Sequence, residues 1–137
     1  MTKISVVIVD DQDVDRYIVR RRLSKAPEIG NVIEASAGKE FLEDFFNGSG
    51  ADEIKHPPLM VLMDINMPGM NGFETVKELQ RRMAEGRGPE SVVIMMFTSS
   101  DNPEDRRRAE ELDAVKGFIV KPLDDSGVED LLSLYHA

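Results

Sequence analysis

The stretch VLMDINMPGMNG, residues 61–72, places an aspartate directly after an apolar run. The run has the composition of a strand buried on both faces of a sheet, and Asp64 stands where that strand ends. A loop with one proline and two glycines follows, so the chain turns away at once. Whether the Asp64 carboxylate serves the fold or a reaction depends on what the rest of the chain brings to the same place.

Composition restricts the classes of protein to consider. The 137 residues suit one domain, residues 1–137, with a real hydrophobic core. A net charge of -9 argues against binding to nucleic acid or to an anionic membrane surface, because both favour basic faces. The chain has no cysteine, which excludes disulfides and thiolate metal sites. It also lacks a signal-peptide pattern and any apolar run near the ~18 residues of a membrane helix, so we expect a cytoplasmic protein without membrane insertion.

Short apolar runs alternate with longer helical patterns along the chain. Five runs are predicted to be strands: residues 4–9, 32–35, 59–63, 92–97 and 118–120. The spacing of apolar residues between and after them predicts helices, with the weakest apolar stripe at residues 102–112. Capping spacings are present at Asn71 with Glu74, at Ser126 with Glu129 and at Asn102 before Pro103. This (βα)₅ alternation predicts an α/β fold, a doubly wound parallel five-stranded sheet with helices on both faces.

Polar residues follow four of the five predicted strands. The first strand is followed by Asp10 and Asp11, the third by Asp64, the fourth by Thr98 and the fifth by Lys121. Each residue alone is explained by a cap or a turn; Asp10 and Asp11 alone favour a helix cap. Together they indicate a site, because parallel sheets of this kind build their sites beyond the carboxyl ends of the strands.

The chemistry of the predicted cluster is constrained. Three adjacent carboxylates need a counter-charge, and oxygen ligands without Cys or His suit Mg²⁺ or Mn²⁺. A lysine and a hydroxyl beside such a cation suit a phosphoryl group, and an ionised aspartate can accept one. Neither His56 nor His136 is placed as a general base, and none is needed for a carboxylate that is already ionised.

The segments VVIVDDQ, LMDINMPGMNG, MMFTSS and GFIVKP occur in the order found in the receiver domain of two-component response regulators. The chain resembles that family over essentially its whole length, and the chemotaxis receiver in particular. The resemblance implies the flavodoxin-like strand order 2-1-3-4-5. It also implies a cis peptide bond between Lys121 and Pro122. The match departs from the commonest pattern in the long loop at residues 48–58 and in the turn at residues 113–116.

The resemblance also implies roles for individual residues. Asp64 is expected to be phosphorylated by a histidine kinase or a phosphotransfer protein. Mg²⁺ is expected between Asp10, Asp11, Asp64 and the backbone carbonyl of Asn66. Thr98 and Lys121 are expected to bind the phosphoryl oxygens. Phe118 is expected to be an aromatic switch that turns inward when Thr98 moves. Asn66 and Ser100 are expected to tune the lifetime of the phosphoryl group.

A signalling receiver is then expected, which takes phosphoryl groups from donors and loses them only by slow autodephosphorylation. Because the sequence ends at Ala137, we expect no output domain and either a downstream protein target or onward phosphoryl transfer. The predicted output face consists of residues 102–112, 118–120 and 126–135. Kinase, stimulus, target, oligomeric state and phosphoryl lifetime stay open.

Two other functions fit parts of the pattern. A phosphatase of the haloacid-dehalogenase class also uses an aspartate nucleophile with Mg²⁺, but it needs an acid two residues later, where this chain has Asn66. A flavodoxin-type FMN protein needs a Ser/Thr/Gly-rich phosphate loop after the first strand. Asp10 and Asp11 occupy that place and would repel the flavin phosphate.

Overall fold

The computed structural model describes residues 3–47, 58–89, 91–99 and 101–137. Ser100, His56 and all of the predicted loop at residues 48–58 except Pro58 lie outside these residues. Strands and helices alternate strictly along the chain: β1 Ile4–Val9, α1 Asp13–Leu23, β2 Ile29–Ala35, α2 Gly38–Phe45, β3 Leu59–Met63, α3 Gly72–Ala84, β4 Val92–Thr98, α4 Pro103–Glu110, β5 Val115–Val120 and α5 Asp125–His136.

The strands form one parallel sheet in the order β2-β1-β3-β4-β5, as expected. The register sets the position of the site. Val9 at the end of β1 pairs with Met63 at the end of β3, so Asp10 and Asp64 leave the sheet side by side. Thr98 closes β4 opposite Val120, the residue before Lys121. Four strand ends therefore meet at one edge.

Side chains of the central strands fill two cores, one on each face of the sheet. All five residues of β3 are buried. Val61 and Met63 pack with residues of α2 and α3 on one face, whereas Met60 and Leu62 pack with residues of α1 and α5 on the other. Each fully buried Leu, Val or Met stabilises the fold by about 1.5–3 kcal/mol. The two-sided core explains why this strand is apolar throughout and tolerates no polar residue before Asp64.

The helix α4 is the least anchored helix, as its weak apolar stripe predicted. It buries only Ala109, whereas each other helix buries at least two residues. Two of its arginines form ion pairs instead: Arg106 with Asp101, and Arg107 with Glu104 and Glu111. No helix in the described ranges is both long and apolar enough to span a membrane.

Two of the three predicted caps are confirmed. Asn71 and Glu74 form a reciprocal capping box at the start of α3, and the Asn102 side chain accepts a hydrogen bond from the Glu104 N–H with Pro103 in the first turn of α4. The prediction of Ser126 as a cap was wrong. Asp124, two residues earlier, caps α5 instead: its carboxylate accepts a hydrogen bond at 2.7 Å from the Gly127 N–H, which is a free N–H group of the first helical turn.

The edge strands are longer than the sequence pattern predicted. β2 begins at Ile29 instead of residue 32, and β5 begins at Val115 instead of residue 118. Ile4 pairs with Ile29, and Ile94 with Val115. Backbone hydrogen bonds to a neighbouring strand extend each edge strand through residues such as Gly30 and Lys116, which carry no apolar signal.

Candidate functional site

The three acids predicted to act together do lie together. Asp10, Asp11 and Asp64 each offer a carboxylate oxygen, and these oxygens lie within 4.8 Å of one another. Asp10 and Asp64 are almost fully buried, and Asp11 is partly buried. Carboxylates this close repel one another strongly when ionised, so the cluster requires positive charge nearby.

Backbone contacts hold Asp64 at the end of β3. Its N–H donates to the Val9 carbonyl at 2.9 Å, and its Oδ1 accepts from the Ile65 N–H at 2.9 Å. Gly72 opens α3 against this segment, and its N–H donates to the Ile65 carbonyl. A Cβ at residue 72 would overlap the Asp64 carbonyl oxygen. Glycine is therefore required for α3 to begin so close to the acid.

Asp10 is fixed through both of its carboxylate oxygens. Oδ1 accepts from the Gln12 N–H at 3.0 Å, and Oδ2 accepts from the Lys121 ammonium at 2.6 Å. The Arg16 guanidinium donates to the Asp10 backbone carbonyl at 2.6 Å and pairs with Glu34 on β2. Arg16 thereby ties the start of α1 to the end of β1.

Lys121 brings the required positive charge from the end of β5. Its Nζ lies 2.6 Å from Asp10 Oδ2, 2.9 Å from Asp15 Oδ2 and 3.7 Å from Asp64 Oδ1. The peptide bond between Lys121 and Pro122 is cis, which confirms that prediction. Burial lowers the pKa of Lys121, but its hydrogen bonds to Asp10 and Asp15 outweigh burial and leave the pKa raised. The ammonium is therefore charged at neutral pH.

Burial makes Asp64 an unusual carboxyl group. Its pKa is raised to about 6, mainly because burial disfavours the charged form. The Lys121 charge opposes this effect, whereas the Asp10 and Asp11 charges add to it. A cation bound among the acids would lower this pKa again, because it neutralises the repulsion.

The residues present fit a hard divalent cation. One buried oxygen, Asp11 Oδ1, has no hydrogen-bond partner among the described residues. An orphaned buried carboxylate oxygen is costly unless something else satisfies it. An all-oxygen set of three carboxylates suits Mg²⁺. The Asn66 backbone carbonyl was predicted as a further ligand. Asn66 is an exposed residue in the loop after Asp64.

Thr98 and Phe118 connect the same edge to α4 and β5. Thr98 is fully buried at the end of β4, and its carbonyl accepts from the Lys121 N–H at 2.8 Å. Phe118 is half-buried on β5, and the Arg106 guanidinium carbon lies 4.6 Å from its ring centroid. A cavity of about 200 Å³ between α4 and β5 is lined in part by the Arg106 and Phe118 side chains.

Sequence reasoning missed Asp15. This residue lies in the first turn of α1, where an acid is expected merely to favour the positive end of the helix dipole. In the structure its carboxylate contacts Lys121, 106 residues away in sequence. Its position four residues after Asp11, on a helix that starts at the site, was the available signal.

Comparisons with known proteins agree with this architecture. The sequence profile of the response regulator receiver domain matches residues 6–133. The chain is 33% identical over 132 residues to the nitrate/nitrite response regulator protein NarL of Escherichia coli K12, covering 96% of this chain and 53% of NarL. It is 34% identical over 120 residues to protein-glutamate methylesterase/protein-glutamine glutaminase 2 of Nitratidesulfovibrio vulgaris, covering 88% of this chain and 29% of that protein.

Among solved structures, the Vibrio cholerae chemotaxis protein CheY4 superposes with a TM-score of 0.72 at 27% identity, covering 96% of this chain and 98% of that one. A two-component response regulator from Legionella pneumophila has a TM-score of 0.72 at 26% identity, covering 98% of each chain. The chain spans about half or less of the length of NarL and of the methylesterase.

The chain belongs to the response regulator receiver domain family. It is a phospho-acceptor signalling switch of two-component systems. Receiver domains bind Mg²⁺ at an acidic pocket and interact with histidine kinases and downstream effectors.

Proposed function

We propose that Asp64 is the phosphoryl acceptor of this receiver and that Asp10, Asp11 and Asp64 hold Mg²⁺ together with the Asn66 carbonyl. One observation carries the proposal. Asp64 is buried at a strand end between two further acids and the Lys121 ammonium, which is 3.7 Å away. At this position, the Lys121 ammonium and bound Mg²⁺ would neutralise the negative charge of a phosphoryl group that approaches the Asp64 carboxylate.

The transfer needs no general base. The ionised Asp64 carboxylate attacks phosphorus and forms a new oxygen–phosphorus bond. The bond from phosphorus to the donor nitrogen or oxygen breaks, and the donor atom leaves with that electron pair. Bound Mg²⁺ would supply charge neutralisation for the phosphoryl oxygens. Lys121 supplies a second positive charge, and the Thr98 hydroxyl supplies a hydrogen bond. By the resemblance to the family, Asn66 and Ser100 would tune how readily water reaches the phosphoryl group.

We further propose that the donor is a histidine kinase or a phosphotransfer protein and that the chain works in the cytoplasm. Its own chemistry is restricted to accepting and slowly losing the phosphoryl group. The methylesterase relative shows that receivers occur within proteins that are named as enzymes. Steady turnover of phosphomonoesters by the purified chain would instead favour a phosphatase.

The output face that we propose comprises α4, β5 and α5. Thr98 is the last residue of β4, before the segment that leads to α4, and Lys121 directly follows β5, so both proposed phosphoryl-binding residues adjoin this face. α4 has few apolar anchors and can shift at low cost. If Thr98 moves toward the phosphoryl group, it vacates space for the Phe118 ring, and the altered face binds a downstream protein.

Acetyl phosphate labelling tests the proposal. Incubation with acetyl phosphate and Mg²⁺ is expected to add a single phosphoryl group, seen by intact-protein mass spectrometry and removed by hydroxylamine. Asp64→Asn should abolish the addition, and chelation of Mg²⁺ should suppress it. Asp13→Asn is the matched control, because Asp13 is an exposed acid outside the cluster. Normal labelling of Asp64→Asn would place the acceptor elsewhere.

A further inference from the structure

We propose that Asp15, which lies outside the three-acid cluster, is a positioning residue that competes with the phosphoryl group on Asp64 for the Lys121 ammonium. The inference rests on the proposed function. Asp15 Oδ2 lies 2.9 Å from Lys121 Nζ, whereas the nearest Asp64 oxygen lies 3.7 Å away. In the unmodified protein, Lys121 is therefore bonded to Asp10 and Asp15 and only approaches the acceptor.

The exposure of the partners decides which contact can be released. The Asp15 side chain is 34% exposed, whereas the Asp10 side chain is 1% exposed. Water can take the place of Lys121 at Asp15, because solvent already reaches that carboxylate. Releasing Asp10 would leave a buried charge without its partner, which costs far more. Asp15 is thus the partner that Lys121 gives up when it turns to a phosphoryl group.

A bound cation would strengthen the role of Asp15. Mg²⁺ would share the charge of Asp10 and Asp64, so both would attract Lys121 less. Asp15 is not part of the cluster, and its attraction for Lys121 stays undiminished. An arriving phosphoryl group must then outcompete Asp15 for the ammonium. The Asp15 carboxylate therefore lowers the free energy of the unmodified state relative to that of the phosphorylated state.

The walls around this ion pair leave room for the lysine to move. A cavity of about 260 Å³ adjoins it, lined by both partners together with Ile18, Phe97 and Pro122 among others. Lys121 Nζ lies 5.5 Å from the Phe97 ring centroid, so the aromatic face also supports the charge on that side. There is free space beside the ion pair, and Nζ already lies 3.7 Å from Asp64 Oδ1, so the ammonium needs only a short movement to pass from Asp15 to Asp64.

Binding of beryllofluoride, a mimic of the phosphoryl group, tests this competition in the full chain with Mg²⁺ present. The dissociation constant is measured by NMR titration for the wild type, Asp15→Asn and the control Asp13→Asn. Asp13 lies in the same helical turn and makes no ion pair with the described residues, so its substitution removes the same charge without the contact. Asp15→Asn is expected to tighten binding about two- to fivefold, and the control is expected to resemble the wild type.

Further variants separate competition from a purely structural effect. Asp15→Glu keeps the charge and should bind beryllofluoride like the wild type. In a Lys121→Met background, Asp15→Asn should change nothing. Unchanged or weaker binding by Asp15→Asn overturns the inference, as does tightening that persists without Lys121. Failure of the wild type to bind beryllofluoride with Mg²⁺ overturns the proposed function as well. Far-UV circular dichroism before each titration verifies that every variant is folded.

Discussion

Substituting Asp64 with Asn should stabilise the metal-free protein at alkaline pH and leave its stability nearly unchanged near pH 4. The acid is buried with Asp10 and Asp11, and its pKa is raised from 3.8 to about 6. Because the folded-state value lies above the unfolded value, the folded protein binds this proton more tightly. Stability of the wild type is therefore lost as pH rises from about 4 through 6, and the loss is complete above that interval.

The size of the effect follows from the two pKa values. A rise from 3.8 to about 6 corresponds to about 3 kcal/mol, at about 1.4 kcal/mol for each tenfold change in proton affinity. This figure already contains the attraction of Lys121, which opposes the rise. Asn at residue 64 carries no charge and can keep the hydrogen bond from the Ile65 N–H. Its advantage over the wild type should grow from near zero to about 3 kcal/mol between about pH 4 and pH 8.

Urea unfolding followed by far-UV circular dichroism, with a chelator present, measures this difference at each pH. Asp13→Asn serves as the control and should show no comparable trend, because Asp13 is exposed. Adding Mg²⁺ at tenfold its dissociation constant should restore about 1.4 kcal/mol to the wild type and much less to Asp64→Asn. A difference between the two proteins that does not change with pH would refute the assignment of a strained buried charge to Asp64.

Two further predictions address the cation and the output face. Asp11→Asn should weaken Mg²⁺ binding by at least tenfold in a calorimetric titration, because its orphaned Oδ1 is a candidate ligand; affinity equal to the wild type would remove Asp11 from the metal site. Phe118→Ala should leave labelling of Asp64 by acetyl phosphate intact but reduce the NMR shifts that beryllofluoride induces in α4 and α5. Undiminished shifts in these helices would show that the Phe118 ring, which lies under the Arg106 guanidinium, does not transmit the signal.

Much of the site could be predicted from local sequence because strand ends in a parallel sheet meet at one edge. An unbroken apolar run such as Leu59–Met63 must be covered on both faces, so it marks a central strand and places Asp64 at its end. The same reasoning brought Asp10, Thr98 and Lys121 to that edge. The capping box of Asn71 and Glu74 was predictable for a similar reason, since its partners are three residues apart.

Only the tertiary structure decided how these groups are paired. The bond from Lys121 to Asp15 joins residues 106 apart, and neither has a local pattern that names the other. The stacking of Arg106 on Phe118 likewise depends on how α4 packs beside β5. Local patterns report which face of an element is apolar, whereas a charged side chain at a strand end has several partners within reach. Burial and distance choose among them, and those quantities exist only in the folded chain.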